Sequence, residues 1–501
     1  MSRLIIASNR VGDFNAGPQS GGLAVALCDV LEARGGMWFG TAERSSRRPR
    51  RADDVASLHE AAPGVQVAEI TIEKHSYQAY YSAYANSLLW PICHNRIDLA
   101  RFDGDCYAIY REVNDRIARA IARYVRDSDV IWVHDYHLIP LGEHLRQRGV
   151  SNPIGFFLHI PFPPGDVFAA LPQHEALAHS LGHYDLVGFQ TENHVASFLG
   201  YLQRHLGGRI LNDGTIRLNA AVIRAGCFPI GIDTADFARA AATTGEDDEI
   251  PPVGAPLVDH VIGVDRLDYS KGLIQRFQAF ATFLDANPHR RRRVTFTQIA
   301  PPTRQGLRTY AHIRNELERL AGSINGRFGD LDWMPIHYIH RAFPRASLAR
   351  LYRRARVGLV TPTQDGMNLV AKEYVAAQDP ADPGVLILSK FAGAAAQLKA
   401  ALIVNPHDID ECARSIEAAL RMPLEERRER QREMFDIVAA NDLGAWRRTF
   451  LNELEKAALA NRALRHPPRP GPDRPAARTV PVASRDAVSP SSVLGPRPAG
   501  P

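Results

Sequence analysis

The chain has 501 residues, which are too many for one compact core and indicate two domains or more. Its net charge of +5 is modest for this length, which argues against a nucleic-acid partner and suits phosphorylated small molecules. Five widely spaced cysteines favour a reduced, cytoplasmic compartment, and no stretch approaches the ~20 apolar residues of a membrane span, so we expect no membrane partner.

Apolar runs of strand length alternate with amphipathic helical stretches along most of the chain. This pattern is typical of parallel sheets covered by helices on both faces. Four runs predict the buried strands of a first sheet: residues 4–7, 130–133, 154–158 and 186–189. Five later runs predict a second sheet: residues 260–264, 294–299, 336–339, 357–360 and 385–388. The predicted fold class is therefore α/β, with two doubly wound domains.

The composition also marks the connections between these elements. Residues 243–256, TTGEDDEIPPVGAP, are acidic and rich in proline, which predicts an exposed linker. We accordingly place the two domains at residues 1–242 and 257–442, followed by a helical segment at 443–465 that packs back on the first domain. Residues 466–501 carry ten prolines and few large apolar side chains, so they predict a disordered tail.

The first predicted strand ends at Ser8-Asn9-Arg10, and Gly21-Gly22 opens a helix further on. Ligands of open parallel sheets bind outside the carboxyl ends of the strands, so Arg10 and the glycine pair face one crevice. The guanidinium of Arg10 is suited to phosphate. Taken alone, a glycine pair more often serves only the fold. No G-x-G-x-x-G follows a strand, which argues against a nicotinamide dehydrogenase.

An aromatic helical stretch follows, and its rings are Tyr77, Tyr80, Tyr81, Tyr84 and Trp90. Aromatic stripes at helical spacing usually pack in the core, so most of these rings are expected there. One or two of them remain candidates for lining a sugar pocket.

Histidines lie at the ends of two further predicted strands, in the segment HDYH at residues 134–137 and at His159. Three histidines invite a zinc hypothesis, but their spacing lacks a partnering H-E-x-x-H and is weak evidence for a metal. An uncharged histidine near a sugar hydroxyl, with Asp135 oriented toward an acceptor, is the better interpretation.

Two short acidic patterns, at residues 103–105 and 330–332, match the D-x-D of metal-dependent sugar transfer. So short a pattern recurs by chance in a chain of this length and is not specific. We therefore expect no metal and no cofactor.

Residues 264–272, VDRLDYSKG, run from the end of the first strand of the second series into a helix. Arg266 and Lys271 bring two cations to the crevice, where they would neutralise the charge that builds on a departing diphosphate. An internal network of Arg–Asp salt bridges is an equally good interpretation of the same residues.

Residues 365–373, DGMNLVAKE, place a carboxylate, a glycine turn and a second carboxylate around the start of a helix. Gly366 lets the backbone approach a ligand, and the N–H groups of residues 367–369 would meet a pyrophosphate at the positive end of the helix dipole. Asp365 is placed to accept hydrogen bonds from sugar hydroxyls, and Glu373, further along the helix, to reach a ribose. The segment predicts a nucleotide-sugar site that needs no metal.

Taken together, these segments resemble the trehalose-6-phosphate synthases, which are retaining glycosyltransferases with two facing Rossmann-like domains in the GT-B architecture. The resemblance covers residues 3–458. The segments that carry it are SNR with the later GGL, LLWP around Trp90, HDYH, FFLHIPFP, GFQT, GVDRLDYSKG and DGMNLVAKEYVAAQ. It implies an acceptor-binding first domain, a nucleotide-sugar-binding second domain and an interdomain cleft.

The resemblance also implies a role for each candidate residue. The residues that hold glucose 6-phosphate are Arg10, Tyr81, Trp90 and Arg304, with Asp135 against the acceptor sugar. The residues around the donor are Gly22, Arg266 and Lys271 at the diphosphate, His159 and Asp365 at the transferred glucose, Gly366, Met367, Asn368 and Leu369 nearby, and Glu373 at the ribose. The implied catalytic set is Asp135, His159, Arg266, Lys271 and Asp365.

Two positions depart from the family pattern. Gln364 precedes DGMNL where many relatives carry arginine, and residues 300–304, APPTR, differ slightly from the usual run. We expect these departures to change donor preference or affinity and not to abolish activity.

The implied reaction moves glucose from a nucleoside diphosphate glucose, with UDP, GDP or ADP as the nucleotide, to glucose 6-phosphate and forms trehalose 6-phosphate. Two alternatives stay open, namely a synthase with a glycerol phosphate or cyclitol phosphate as acceptor, and a non-catalytic sensor of sugar phosphates. Only the proline-rich tail follows the synthase part, so a separate trehalose-phosphate phosphatase is expected to act downstream. A homo-oligomer stays open as well.

Overall fold

Two parallel β-sheets organise the computed structural model, which describes residues 3–12, 14, 22–43, 55–104, 106–211, 214–218, 221–243, 258–304 and 306–465. We call the part of the chain around the first sheet the first lobe and the part around the second sheet the second lobe. The predicted linker, apart from its first residue, and the predicted tail lie outside the described residues.

The first lobe is built on eight strands of one sheet. The strands up to the end of this lobe are β1 (Leu4–Ala7), β2 (Gly36–Glu43), β3 (Val55–Ala62), β4 (Val65–Ile72), β5 (Val130–His134), β6 (Ile154–Phe157), β7 (Leu186–Phe189), β8 (Arg209–Ile210), β9 (Ile216–Leu218), β10 (Ala221–Ile223) and β11 (Ala225–Cys227). The order in the sheet is β11-β7-β6-β5-β1-β2-β4-β3, with only β3 and β4 antiparallel, and β8 to β10 form a separate small sheet. The four predicted strands are β1, β5, β6 and β7, which are neighbours in this sheet.

The second lobe carries a six-stranded sheet in which every neighbouring pair is parallel. Its strands are β12 (Asp259–Val264), β13 (Val294–Ile299), β14 (Ile336–Ile339), β15 (Val357–Val360), β16 (Val385–Ser389) and β17 (Leu402–Val404). The order β14-β13-β12-β15-β16-β17 is that of the Rossmann fold, in which ligands bind where the winding reverses, between the first and the fourth strand. The predicted α/β fold class with two doubly wound domains is confirmed.

Helices cover both sheets. They are α1 (Gly22–Arg34), α2 (Lys74–Tyr77), α3 (Trp90–Cys93), α4 (Cys106–Tyr124), α5 (Leu141–Gln147), α6 (Gly165–Phe168), α7 (His174–Leu181), α8 (Glu192–Leu206), α9 (Thr234–Ala242), α10 (Leu273–Ala286), α11 (Arg308–Phe328), α12 (Arg345–Arg354), α13 (Leu369–Ala377), α14 (Ile409–Arg421), α15 (Leu424–Ala440) and α16 (Leu443–Arg465). None of these described helices has the length and apolarity to cross a bilayer.

Strands β2, β3, β4, β11 and β17 of the two large sheets were not predicted, although β2 pairs directly with β1 and β4 pairs with β2. The sequence of β4, VQVAEITI, interrupts its apolar residues with polar ones, of which Gln66 is exposed and Glu69 and Thr71 are partly exposed. Only continuous apolar runs were interpreted as strands, because strands buried on both faces lack polar positions. In β2, by contrast, residues 36–41 are all buried, and its glycines and Thr41 interrupt the apolar run that marks a buried strand.

The predicted aromatic helix has an unusual form. Between α2 and α3 lies a π-helix, Gln78–Leu89, in which Asn86 Nδ2 and Ser87 Oγ donate to carbonyl groups five residues earlier, each at 2.8 Å. Turns of this kind are rare and frequently occur at functional sites. The buried rings are those of Tyr77, Tyr80, Tyr84 and Trp90, whereas Tyr81 is partly exposed. The widened helix therefore presents Tyr81 at the surface of the first lobe.

The chain passes between the lobes just before α9. The ring of Phe237 in α9 stacks on Tyr352 of α12 with centroids 6.2 Å apart, and Asp236 pairs with Arg345 at 3.0 Å. Helix α9 therefore packs with the second lobe, although the predicted boundary at residue 242 assigns it to the first domain. We propose that the domain boundary lies near Ile232.

Helix α16 lies against the first sheet. The rings of Trp446 and Phe450 contact Trp132 of β5 with centroids 4.7 and 4.6 Å apart, and Phe450 also contacts Phe157 of β6 at 5.7 Å. Up to Asn461, this helix belongs to the same compact unit as both sheets.

Candidate active site

One buried arginine joins the carboxyl ends of three strands of the second sheet. Arg276 of α10 donates to Asp265 beyond β12 at 2.9 Å, to Gln298 of β13 at 2.8 Å and to Thr361 beyond β15 at 3.1 Å. The side chains of Arg276 and Asp265 are 0% and 2% exposed. Asp265 therefore forms an internal salt bridge, as one of the two interpretations of residues 264–272 predicts, and its partner is Arg276 of α10. This network fixes the loop that carries Arg266 and Lys271.

Replacing Arg276 by methionine is expected to destabilise the fold by about 3–5 kcal/mol, because the Asp265 carboxylate stays buried without its counter-charge. Thermal unfolding followed by circular dichroism measures this loss. The matched control is Arg319→Met on the surface of α11, where the pair with Glu316 is exposed and the melting temperature should hardly change. Similar melting temperatures for both variants would contradict the proposed role of Arg276.

Lys271 and Asp365 form an ion pair in the second lobe. The Lys271 Nζ lies 2.5 Å from Asp365 Oδ2, and Asn368 Nδ2 donates to the same oxygen at 3.0 Å. The two charged side chains are 13% and 14% exposed, so both remain partly accessible to a ligand. A cation suited to a diphosphate and an anion suited to a sugar hydroxyl thus stand side by side.

Helix α13 begins directly after Asn368, which is its N-cap. Asn368 has a left-handed backbone with φ of 76°, and its side chain accepts a hydrogen bond from Ala371 N at 3.2 Å. Among the described residues, none accepts a hydrogen bond from the N–H groups of Met367, Asn368 or Leu369. Free N–H groups at a helix N-terminus attract anions. The turn therefore offers three backbone donors to a phosphate.

Gly366 lies directly against the first lobe. A Cβ atom at this position would be 2.1 Å from the carbonyl oxygen of His159, a separation that real side chains do not show. The neighbouring Asp365 N donates to Phe391 O at 3.1 Å, which fixes the turn from the other side. Only glycine permits this approach of two backbones. Residues 365–369 and the backbone of His159 therefore form one wall of the cleft.

Two polar side chains of the first lobe surround His159. His134 Nδ1 lies 3.1 Å from His159 Nε2, and Asp135 Oδ1 accepts a hydrogen bond from His159 N at 3.2 Å. Asp135 has a φ of 75°, a strained conformation that is frequent at functional sites. Burial lowers the pKa of His159 to about 3 and raises the pKa of Asp135 to about 6. At pH 7 the imidazole is neutral and the carboxyl is mostly ionised.

Arg304 extends from the second lobe to aromatic rings of the first. Its guanidinium carbon lies 3.9 Å from the centroid of the Trp90 ring, and its Nη2 donates to Tyr136 OH at 3.2 Å. Within its own lobe, Nη1 pairs with Asp268 at 2.7 Å. Burial raises the pKa of Asp268, but Arg304 outweighs this effect and holds the pKa below its usual value. Arg304 is therefore fixed between the lobes with its plane against an indole.

Two further arginines border the same aromatic surface. The guanidinium of Arg266 lies 5.9 Å from the centroid of Trp90, and this exposed side chain forms no ion pair with any described residue. Arg10 Nη2 donates to Tyr77 OH at 2.8 Å, and its guanidinium lies 5.5 Å from the Tyr81 ring. Arginines 10, 266 and 304 thus provide cations from both lobes for a phosphorylated ligand.

Gly22 and Glu373 are the two remaining candidate residues. Gly22 is the first residue of α1. Glu373 is on α13, where burial raises its pKa to about 7 against the opposing effect of Arg345. Close to neutral pH, this carboxyl is therefore divided between its two protonation states.

Two buried polar residues beside the site were not predicted. Gln190 Nε2 lies 3.5 Å from His159 Nδ1, and Lys372 Nζ donates to Ile230 O at 2.7 Å. Both belong to quoted motifs, GFQT and DGMNLVAKE, but neither was singled out. The available signal was a polar side chain at a position that the surrounding apolar pattern assigns to the core.

A metal site is not found in the parts of the chain that the structure describes, where no three His, Cys, Asp or Glu side chains are close enough to hold an ion. In the second acidic pattern, Asp330 and Asp332 both pair with the exposed Arg292. In the first pattern, Asp105 lies outside the described residues.

Comparison with known proteins gives consistent matches over the whole length of both lobes. The profile of glycosyltransferase family 20 matches residues 5–456. The trehalose-6-phosphate synthase of Sinorhizobium fredii (strain NBRC 101917 / NGR234) is 46% identical over 460 residues, which are 91% of this chain and 98% of that protein.

Two solved structures are similar along the same part of the chain. One is an alpha,alpha-trehalose-phosphate synthase (UDP-forming) from Burkholderia xenovorans in complex with glucose 6-phosphate, with a TM-score of 0.85, 45% identity and coverage of 91% of this chain and 100% of that chain. The other is the E. coli protein bound with UDP-2-fluoro glucose, with a TM-score of 0.84, 41% identity and coverage of 91% and 99%.

Proposed function

Because the chain belongs to glycosyltransferase family 20, we propose that it transfers glucose from UDP-glucose to glucose 6-phosphate and forms trehalose 6-phosphate with retained configuration. The observation that supports this proposal is the close approach of Gly366 to the backbone of His159, since the turn of residues 365–369 in one lobe thereby contacts the other lobe. The relatives described above, which are bound to glucose 6-phosphate or to a UDP-glucose analogue, support the two substrates.

On the donor side, the diphosphate binds the N–H groups of Met367, Asn368 and Leu369 together with Lys271 and Arg266. Asp365 and His159 contact the transferred glucose, and Gly366 permits the approach of the backbone. Glu373 accepts hydrogen bonds from the ribose, and Gly22 completes the diphosphate site from the first lobe. The support for this assignment is the free helix N-terminus beside an accessible Lys–Asp pair.

On the acceptor side, Arg10 and Arg304 bind the phosphate of glucose 6-phosphate, and Tyr81 and Trp90 line the sugar. Asp135 is placed to accept a hydrogen bond from the attacking hydroxyl group. The support is the position of these arginines around one aromatic surface that both lobes share.

When the glucose leaves its nucleotide, negative charge develops on the β-phosphate. Arg266, Lys271 and the free N–H groups of α13 stabilise this charge without a metal ion. Retention follows if the acceptor attacks from the face that the diphosphate leaves, so that the departing phosphate itself accepts the proton of the hydroxyl group. The neutral His159 and the fixed Asp135 position the two sugars for this step.

We infer a cytoplasmic enzyme with no nucleic-acid or membrane partner, which acts as a monomer or a homo-oligomer. A separate trehalose-phosphate phosphatase consumes the product. The widely spaced cysteines, none of which forms a disulfide among the described residues, support the reducing compartment.

The function is tested by incubating the purified protein with UDP-, GDP- or ADP-glucose and glucose 6-phosphate, and by identifying the products by mass spectrometry. A phosphorylated disaccharide and free nucleoside diphosphate are expected, with the largest yield from UDP-glucose. Glycerol 3-phosphate and a cyclitol phosphate serve as competing acceptors. Ligand-dependent thermal stabilisation without any product would favour a sensor and overturn the proposal.

The affinity for UDP-glucose is expected to rise about tenfold between pH 6 and pH 8, because the Glu373 carboxyl, whose pKa is about 7, is a stronger acceptor of ribose hydrogen bonds when it is ionised. Titration calorimetry at pH 6, 7 and 8 measures this change. UDP-glucose is used because its diphosphate does not titrate in this range. In the control Glu373→Gln the affinity should be nearly independent of pH, and a persistent dependence would contradict the ribose role.

A further inference from the structure

The segment that links the two lobes is held by one residue from each of them. Ile230 lies between β11 of the first sheet and α9 of the second lobe, and its side chain is buried. The backbone N–H of Ile230 donates to Gln190 Oε1 at 3.0 Å. The backbone C=O of the same residue accepts from Lys372 Nζ at 2.7 Å. A single crossover residue is thus bonded by side chains of both lobes.

Gln190 is close to a residue assigned above to the donor glucose, and Lys372 is next in sequence to the residue assigned to the ribose. Gln190 follows β7, is 2% exposed, and its Nε2 lies 3.5 Å from His159 Nδ1. Lys372 precedes Glu373 on α13 and is 1% exposed. The polar chain therefore runs from His159 through Gln190, Ile230 and Lys372 to the helix of Glu373.

Packing alone does not account for Lys372. Within the described part of the chain, this ammonium group has no carboxylate partner, and its one recorded hydrogen bond is to Ile230 O. Burial of an amine without a counter-charge costs free energy, and it lowers the pKa of Lys372 to about 7. A methionine of similar length would fill the same space without this cost. The contact with the crossover is what the lysine adds.

We propose that Gln190 and Lys372 are positioning residues that fix the crossover at Ile230, so that His159 of the first lobe and Glu373 of the second engage the same donor molecule. This proposal rests on the donor roles assigned above to His159 and Glu373. A shift of the crossover displaces the glucose contact relative to the nucleotide contact, and a displacement of about 1 Å is enough to lower turnover strongly.

The proposal is tested with the variants Lys372→Met and Gln190→Ala by comparing their affinities for UDP and for UDP-glucose. UDP lacks the glucose that contacts His159, and apart from Gly22 its assigned contacts lie in the second lobe, so its affinity should remain within about twofold of the original. UDP-glucose also contacts His159, so the additional affinity that glucose confers should fall about tenfold. The matched control is Lys399→Met, an exposed lysine for which both affinities should be unchanged.

A double variant of Gln190 and Lys372 shows whether the two residues share one role or act independently. If both act through Ile230, the double variant should be no weaker than the weaker single variant, whereas independent effects would add. Gln190→Glu keeps the acceptor for Ile230 N and should retain more of the glucose-dependent affinity than Gln190→Ala. If Lys372→Met does not fold, the comparison of Gln190→Glu with Gln190→Ala still tests the proposal.

Equal weakening of UDP and UDP-glucose, or additive effects in the double variant, would overturn the proposal. Both measurements are of binding and need no turnover. A protein that forms no disaccharide phosphate would refute the proposed function, and these affinities would still decide the role of the crossover.

Discussion

Alanine at position 266 is expected to lower kcat for glucosyl transfer by about 10²–10³, because one preorganised cation at the departing diphosphate is lost. The affinity for UDP-glucose should fall much less, since Lys271 and the N–H groups at the start of α13 still bind the diphosphate in the ground state. Steady-state kinetics with both substrates varied separates the two effects, because an interaction made only in the transition state lowers kcat and kcat/KM alike.

Arg266 suits this experiment because its replacement should change the reaction without unfolding the protein. Its side chain is exposed and pairs with no carboxylate among the described residues, so its removal leaves no buried charge and should not unfold the protein. The matched control is Arg432→Ala, which removes an exposed arginine of α15 and should leave kcat unchanged. A loss of donor affinity as large as the loss of kcat would contradict the role of Arg266 at the leaving group.

Alanine at position 366 is expected to lower activity by more than about 100-fold, because the added Cβ atom would be 2.1 Å from His159 O and would force the lobes apart. The clash involves the backbone on both sides, so no side-chain rotation relieves it. The movement separates the turn of residues 365–369 from the wall that carries His159. Turnover measured at saturating concentrations of both substrates tests this, with thermal unfolding to follow the cost of overpacking, about 1–3 kcal/mol.

The matched control is Gly322→Ala in the middle of α11, where a Cβ atom would meet nothing within 4 Å. Alanine favours a helix over glycine, so this variant should keep full activity and gain about 0.5–1 kcal/mol of stability. If Gly366→Ala retained activity like the control, the close contact between the turn and His159 would have no part in catalysis.

The strands of both sheets show which features of the fold depend only on residues that are close in the sequence. Strands such as β5 (VIWVH) and β15 (VGLV), which are buried on both faces, have a continuous apolar run that the sequence displays directly. Strand β4 is not of this kind, because its alternating pattern reflects a face that is only partly covered. Whether a face is covered depends on helices distant in the sequence.

The candidate site likewise combines features that depend on neighbouring residues with features that depend on residues distant in the sequence. The free N–H groups at the start of α13 were expected from a glycine turn ahead of a helix, since capping and dipole effects depend on neighbouring residues. The three partners of Arg276 were not expected, because Asp265, Gln298 and Thr361 lie at the ends of three strands that are separated in the sequence. The same holds for Gln190 and Lys372, whose common partner Ile230 is distant from both in sequence.

The amino-acid sequence thus specified the class of fold, the strands at the centre of each sheet and the motifs that carry charge and glycine, because each depends on short-range periodicity or on a few adjacent residues. The folded chain alone specified which charges are neutralised internally, where the lobes touch and which residue holds the crossover. Those properties arise from burial and from contacts between distant segments, which set both the pKa values and the free hydrogen-bond donors of the cleft.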